Sequence, residues 1–301
     1  MVAANGDPTT ATISGGGALR LLTVDDALAV TLADLTLADG FSGYEGGGVM
    51  VDDTASFTVQ DCTFVGHFAD YGGGALFVDD VTTLTITGST FVGNTSMYEA
   101  GGIEYSGMPG ASIVISDTSF EANFADYEGG AIEIQPGGGN SVTVAITNVE
   151  FIDNEAGYSG GGLAIGGGGT VTLAMSGSAF IGNDTDYEGG GLHIGGSGLT
   201  LGGTVTDTLF DSNSTDYEGG ALELDGNVSL TVADSWFTSN EVHGPSGAIE
   251  VDDSSVFVAT NTDFGTGLTD NSPVDINHGG VGITGLGAGV DVTCPAGGLC
   301  Y

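Results

Sequence analysis

The stretch DYEGGALEL at 216–224 returns almost unchanged as DYEGGAIEI at 126–134 and DYEGGGLHI at 186–194. Aligned on its tyrosine, the phrase marks Tyr44, Tyr71, Tyr98, Tyr127, Tyr158, Tyr187 and Tyr217, with Gly244 in the same slot of a further copy, at spacings of 27–31 residues. Repetition at such a period signals stacked units, none of which buries a core alone.

Three residues after each anchor stands a glycine: Gly47, Gly74, Gly101, Gly130, Gly161, Gly190, Gly220 and Gly247. So strict a slot calls for positive φ or for backbone too close to admit a Cβ. An apolar-x-apolar strand follows, from Val49/Val51 to Ile249/Val251. Its middle residue is Met50, Phe77, Glu104, Glu133, Ala164, His193, Glu223 or Glu250, a variability that reads as an outward position. A second strand is expected to end at Phe64, Phe91, Phe120, Phe151, Phe180, Phe210, Phe237 and Phe264, with a mostly apolar residue five places earlier.

Three residues after the phenylalanine come Asn94, Asn123, Asn154, Asn183, Asn213 and Asn240, flanked by His67 and Gly267 in the outermost copies. Asparagine at a fixed corner suits left-handed backbone, and stacked amides can bond from rung to rung. Length differences fall in glycine-rich segments such as SGMPGAS (106–112) and QPGGGNS (135–141), as a solenoid tolerates. The reading is an all-β, single-stranded parallel β-helix of about eight or nine rungs, roughly 40 Å long at ~4.8 Å per rung. Residues 1–301 form one domain: an atypical rung at 14–43, with Leu19/Leu21 as its first strand and Leu37 in the phenylalanine slot, regular repeats at 44–264, and a C-terminal rung or cap at 265–301.

Forty acidic residues face one base, Arg20, for a formal net charge of −39. That balance excludes nucleic acid and anionic membrane surfaces as partners and favours cations. A mean hydropathy of +0.21 argues against a disordered acidic chain. The opening MVAANGDPTT does not read as a signal peptide, and the apolar run at 18–37 is broken by Arg20, Asp25, Asp26 and Asp34, so no membrane insertion is expected. Fifty-seven glycines without a three-residue period exclude collagen.

The joint recurrence of Gly-Gly-Ala-Ile/Leu (129–132, 73–76, 219–222) and Phe-x-x-Asn in one register resembles the repeat of the chlamydial polymorphic outer-membrane proteins, over roughly residues 44–264. The resemblance implies a right-handed helix, an extracellular or cell-surface location and an adhesive role. This chain departs from that family in lacking a C-terminal barrel-like segment.

Asp and Glu flank the tyrosine, so in an extended segment both point to one side. Asp186/Glu188 and Asp216/Glu218 on neighbouring rungs then form a four-carboxylate patch, with Asp184 as a further ligand. Two such charges ~5 Å apart repel by about 0.8 kcal/mol in water and several times that near a protein surface. An oxygen-only set points to Ca²⁺, against plain screening by salt. His67, His193, His243 and His278 occupy different slots and do not converge as ligands. Cys62 reads as a buried small side chain. Cys294 and Cys300 are a possible disulfide in an oxidising compartment.

Enzymes cleaving polysaccharides use this architecture, but a lyase needs bases that are lacking here, and the carboxylates obey the repeat instead of breaking it. The expectation is therefore a non-enzymatic structural or adhesive rod, partnered by a host or cell-surface ligand or by its own copies head-to-tail through open strand edges. A polysaccharide hydrolase using paired carboxylates is the alternative, with an ice-binding module behind it.

Overall fold

The structure, a computed structural model, describes residues 11–244, 246–252, 254–265, 271–272, 275–277 and 299–300. Every described element is a strand, and the strands stack into four sheets of 11, 9, 9 and 8 strands, parallel except for the last strand of the largest. One rung contributes a strand to each. In the rung after Gly130 these are Ile132–Pro136, Ser141–Thr147, Glu150–Ile152 and Glu155–Ala156, here called first to fourth in chain order.

Rungs stack without slip, so like residues face like: Ile132 pairs Leu163, Leu163 pairs Leu192, and Leu192 pairs Leu222. The phenylalanines Phe64 to Phe264 form one buried stack, ring centroids 4.4–5.4 Å apart and planes within 13° of parallel. That separation matches the strand spacing of ~4.8 Å, so backbone pairing and ring stacking impose the same repeat.

The expected second strand is in fact two. Three residues before each phenylalanine, at Asp61, Gly88, Asp117, Asn148, Gly177, Asp207, Asp234 and Asn261, φ is +48 to +61°, and the chain turns there from second to third sheet. Asp, Asn and Gly are the residue types that tolerate this region, which is why the slot varies among only these three. The next left-handed corner lies one residue before the asparagine column, at Gly93, Ala122, Asp153, Gly182, Ser212 and Ser239, and not at the asparagines themselves.

The asparagines do form the ladder. Each Nδ2 donates to the next rung's Oδ1 at 2.9 Å, from Asn94 through Asn123, Asn154, Asn183, Asn213 and Asn240 to Asn271. The other Nδ2 hydrogen reaches the preceding rung's phenylalanine carbonyl, and Oδ1 also accepts the preceding asparagine's backbone N–H, as for Asn154 with Phe120 O and Asn123 N. Asn271 therefore takes the slot assigned to Gly267, which lies outside the described residues. At the other end His67 accepts from Gly40 N–H at Nδ1 and donates from Nε2 to Leu37 O. Burial holds this neutral imidazole down to about 4.

The strict glycine is a close approach. A Cβ on Gly161 would stand 2.5 Å from both Asp184 O and Gly190 O. Gly130, Gly190 and Gly220 meet equivalent backbone, while positive φ belongs to the residue before them, Gly129, Gly189 and Gly219. In the atypical rung Leu37 does pair Phe64, but the first-sheet strand is Leu22–Asp25, with Leu22 and Val24 facing Val49 and Val51. Leu19 is exposed. A further strand, Thr12–Ser14, pairs Thr36–Ala38. At the far end Ile276–Asn277 closes the parallel series and pairs antiparallel with Leu299–Cys300. The possible bond of Cys300 to Cys294 rests on a residue outside the described set.

Candidate functional site

The middle position of the first-sheet strand is not outward. Glu133 is fully buried, Glu223 is 2 % exposed, Glu250 3 %, His193 6 % and Glu104 8 %. What covers them is the opening phrase itself. The chain bends at Asp126–Tyr127 and then runs past the next rung as a bridge residue, as do Glu128, Ser159, Glu188 and Glu218 in their own rungs. Because the phrase bends, its Asp and Glu part company. Asp184, Asp186 and Asp216 lie exposed on the outer side, Asp216 against His243 at 2.9 Å, whereas Glu188 and Glu218 turn onto the first sheet.

Two acidic columns therefore face each other along a groove. Gln135 Nε2 donates to Glu133 Oε1 and reaches Glu99 Oε1 at 3.5 Å. Burial raises the Glu128 carboxyl, which lies beside Glu133. Ser246 Oγ donates to Glu250. The remaining demand goes unmet: Glu104 Oε2, Glu133 Oε2, Glu223 Oε2 and both ring nitrogens of His193 are buried with no hydrogen-bond partner. Arg20 donates to the carbonyls of Glu45 and Gly46 at the N-terminal end of the groove.

Burial pushes Glu104 up to about 9 and lifts Glu133 and Glu223 well above the usual carboxylate range. Glu188 rises to about 7, through burial first and then Glu218, Asp225 and Glu128. His193 is held down to about 4 by burial.

At the middle of the groove a cavity of about 350 Å³ is lined by Glu128, Tyr158, Glu188, His193 and Asp225 among others. One ligand atom each from Glu188, His193 and Glu223 lies within 4.8 Å of the other two, and the same holds for Glu218, Glu223 and Asp252. Two further triads, Asp25/Asp52/Asp53 and Asp52/Asp79/Asp80, belong to the turn after the first-sheet strand near the N-terminal end. The four-carboxylate patch expected from the sequence is thus divided. Glu188 and Glu218 join buried partners, and none of these groups includes Asp184, Asp186 or Asp216. The histidines do not meet each other, yet His193 does meet carboxylates, which slot-by-slot reading missed; His278 lies outside the described residues. One sequence signal was present: Glu at four of eight copies of a slot that elsewhere holds Phe77 and Ala164 suits a half-lined groove better than free solvent.

The tyrosines stack in two runs, Tyr44–Tyr71 and Tyr98 through Tyr217, the longer with centroids 5.0–5.2 Å apart and with Tyr158 at the cavity. Cys62 is buried, and burial raises its thiol. Trp236 sits exposed beside the buried Phe237.

A solenoid of parallel strands stacked rung on rung defines the β-helix class. The family model for the right handed beta helix region matches residues 22–214, and the chain belongs to that family. Comparison with curated proteins and with solved structures finds no match.

Proposed function

We propose that the chain is a non-enzymatic β-helical rod, extracellular or at a cell surface, that presents a repeated side as an adhesive face, in the manner of the chlamydial polymorphic outer-membrane repeat. The supporting observation is the exposed stripe built by the tyrosine stack and its flanking carboxylates. Tyr98, Tyr187 and Tyr217 are 44–56 % exposed although each is stacked, and the exposed Asp186 and Asp216 immediately precede the last two. Stacked rings held rigid at one spacing give large contact area at little entropic cost. Within this reading, head-to-tail assembly has weaker support than lateral contact, because the chain's own antiparallel strand covers the C-terminal edge of the first sheet.

The test is adhesion of beads coated with the purified protein to cells and to polysaccharide surfaces. Beads carrying Tyr158→Ser, Tyr187→Ser and Tyr217→Ser together are expected to lose most of their adherence; undiminished adherence overturns the adhesive face. A second reading, a polysaccharide hydrolase, draws on the cavity between Glu128 and Glu188 with a carboxyl near neutrality. Release of reducing ends from a polysaccharide panel, abolished by Glu188→Gln, would replace the first reading with this one.

A further inference from the structure

We infer that Glu188, His193 and Glu223 form a binding site for a divalent transition-metal ion of the Zn²⁺ type. The three come from two adjoining rungs. His193 is central in Leu192–Ile194, and Glu223 is its register partner in Leu222–Leu224. Glu188 is set one residue before the left-handed Gly189, so the corner aims its side chain back over the same strand.

His193 Nε2 and Glu188 Oε2 are 3.5 Å apart. Two ligands at about 2.1 Å on one tetrahedral ion stand roughly 3.4 Å from each other, so this pair is already at coordination distance. The Glu223 ligand atom lies within 4.8 Å of both others.

Two buried groups are aimed into this space without partners. Glu223, 2 % exposed, has an orphaned Oε2, and His193, 6 % exposed, has neither ring nitrogen bonded. A buried carboxylate and a buried imidazole lone pair each cost free energy unless something positive meets them. No basic side chain is at hand in a chain with a single arginine at its far end. One cation satisfies all three groups at once.

The ring position also looks reserved. Gly195, which follows the strand, would bring a Cβ to 2.7 Å from His193 Nε2 and 3.0 Å from Cε1. Glycine there leaves room for the imidazole, and the cavity on the open side leaves room for water as fourth ligand. The nitrogen decides the metal class. Ca²⁺ takes six to eight oxygens, whereas neutral imidazole with carboxylates suits Zn²⁺ and its neighbours. Glu218 and Asp252, which group with Glu223 through oxygens only, lie outside this assignment.

The experiment is calorimetric titration of the full chain with Zn²⁺ and, separately, Ca²⁺ in high salt, with Co²⁺ absorption as a second readout. One Zn²⁺ per chain is expected. His193→Ala, a side chain that the register neighbour Ala164 already accommodates, is expected to weaken Zn²⁺ at least tenfold while leaving weak Ca²⁺ binding unchanged. Glu223→Gln should weaken Zn²⁺ similarly. Gly195→Ala should erase the visible Co²⁺ band by displacing the ring. Zn²⁺ affinity unchanged in folded His193→Ala protein, or Zn²⁺ and Ca²⁺ weakened in parallel, overturns the site and leaves only a screened acidic surface.

Discussion

The asparagine ladder inside the solenoid and the glutamate column under its groove obey the same rule, one residue type per slot stacked rung on rung, and end in opposite energetic states. An amide carries donors and acceptors in one side chain, so translation by a rung brings donor onto acceptor and every buried polar atom of Asn154 finds a partner. A carboxylate carries acceptors only. The same translation sets Glu104 and Glu133 face to face with unpaired oxygens and raised proton affinity. Repetition stabilises self-complementary groups and penalises those that are not.

The comparison is broken most severely by moving a carboxylate into the ladder. Asn154→Asp removes two donors and buries an uncompensated charge, and is expected to cost about 3–5 kcal/mol at pH 7 by denaturant unfolding. An equal loss at pH 4, where the group is protonated, would mean that shape and not charge governs the slot.

The groove is probed next by pH. Glu104 titrates near 9 folded against about 4.5 unfolded, so its favourable contribution is complete below 4.5 and disappears as pH rises through 9. His67, held near 4 against 6.5, has the opposite sign and lowers stability as pH falls from 6.5 to 4. Stability should therefore decline from pH 6.5 to 9 by about 2–3 kcal/mol per group of the Glu104 kind, and Glu104→Gln should flatten that slope. An unchanged slope would place the titration elsewhere.

Putting an amide into the groove sharpens the contrast. Glu133→Gln is expected to raise stability at pH 8 by about 1–2 kcal/mol, since it supplies donors beside Glu128 and Glu104. The smallest effect belongs to the outer stack, where Tyr187→Ser should cost about 0.5–1.5 kcal/mol in thermal unfolding.

Much of the fold was legible because its ladders use residue types that occur for one reason. Phenylalanine and asparagine recur at fixed offsets; the asparagine ladder was read from them, whereas the phenylalanines were read only as the end of a strand and their stacking was not. The four-strand rung was hidden because its extra corner at Asp61 and its equivalents is filled by Asp, Gly or Asn alike, chemistry that period-two counting passes over. The groove was hidden by the same counting. Alternation says that His193 leaves the core side, but not that Glu188 folds back over it, since the bend at Asp186–Tyr187 cancels the alternation from which the carboxylate patch was inferred.

The amide ladder also has a direction and two distinct ends. From Asn94 to Asn240 every amide-to-amide hydrogen bond runs from Nδ2 to the next Oδ1 toward the C-terminus, so the row has one polarity. At the start, His67 gives its backbone N–H to Asn94 and turns its ring away to Leu37 and Gly40. At the finish, Asn271 Nδ2 meets Asp275 Oδ1 at 2.9 Å, an acceptor set at the positive end of the row. The amide row thus has a first and a last member of different chemistry, a histidine and an aspartate, inside a stack of strands that extends past both. The row's polarity is fixed by the two side chains that bound it, and a duplicated 29-residue unit such as 126–154 would extend the row with its polarity unchanged.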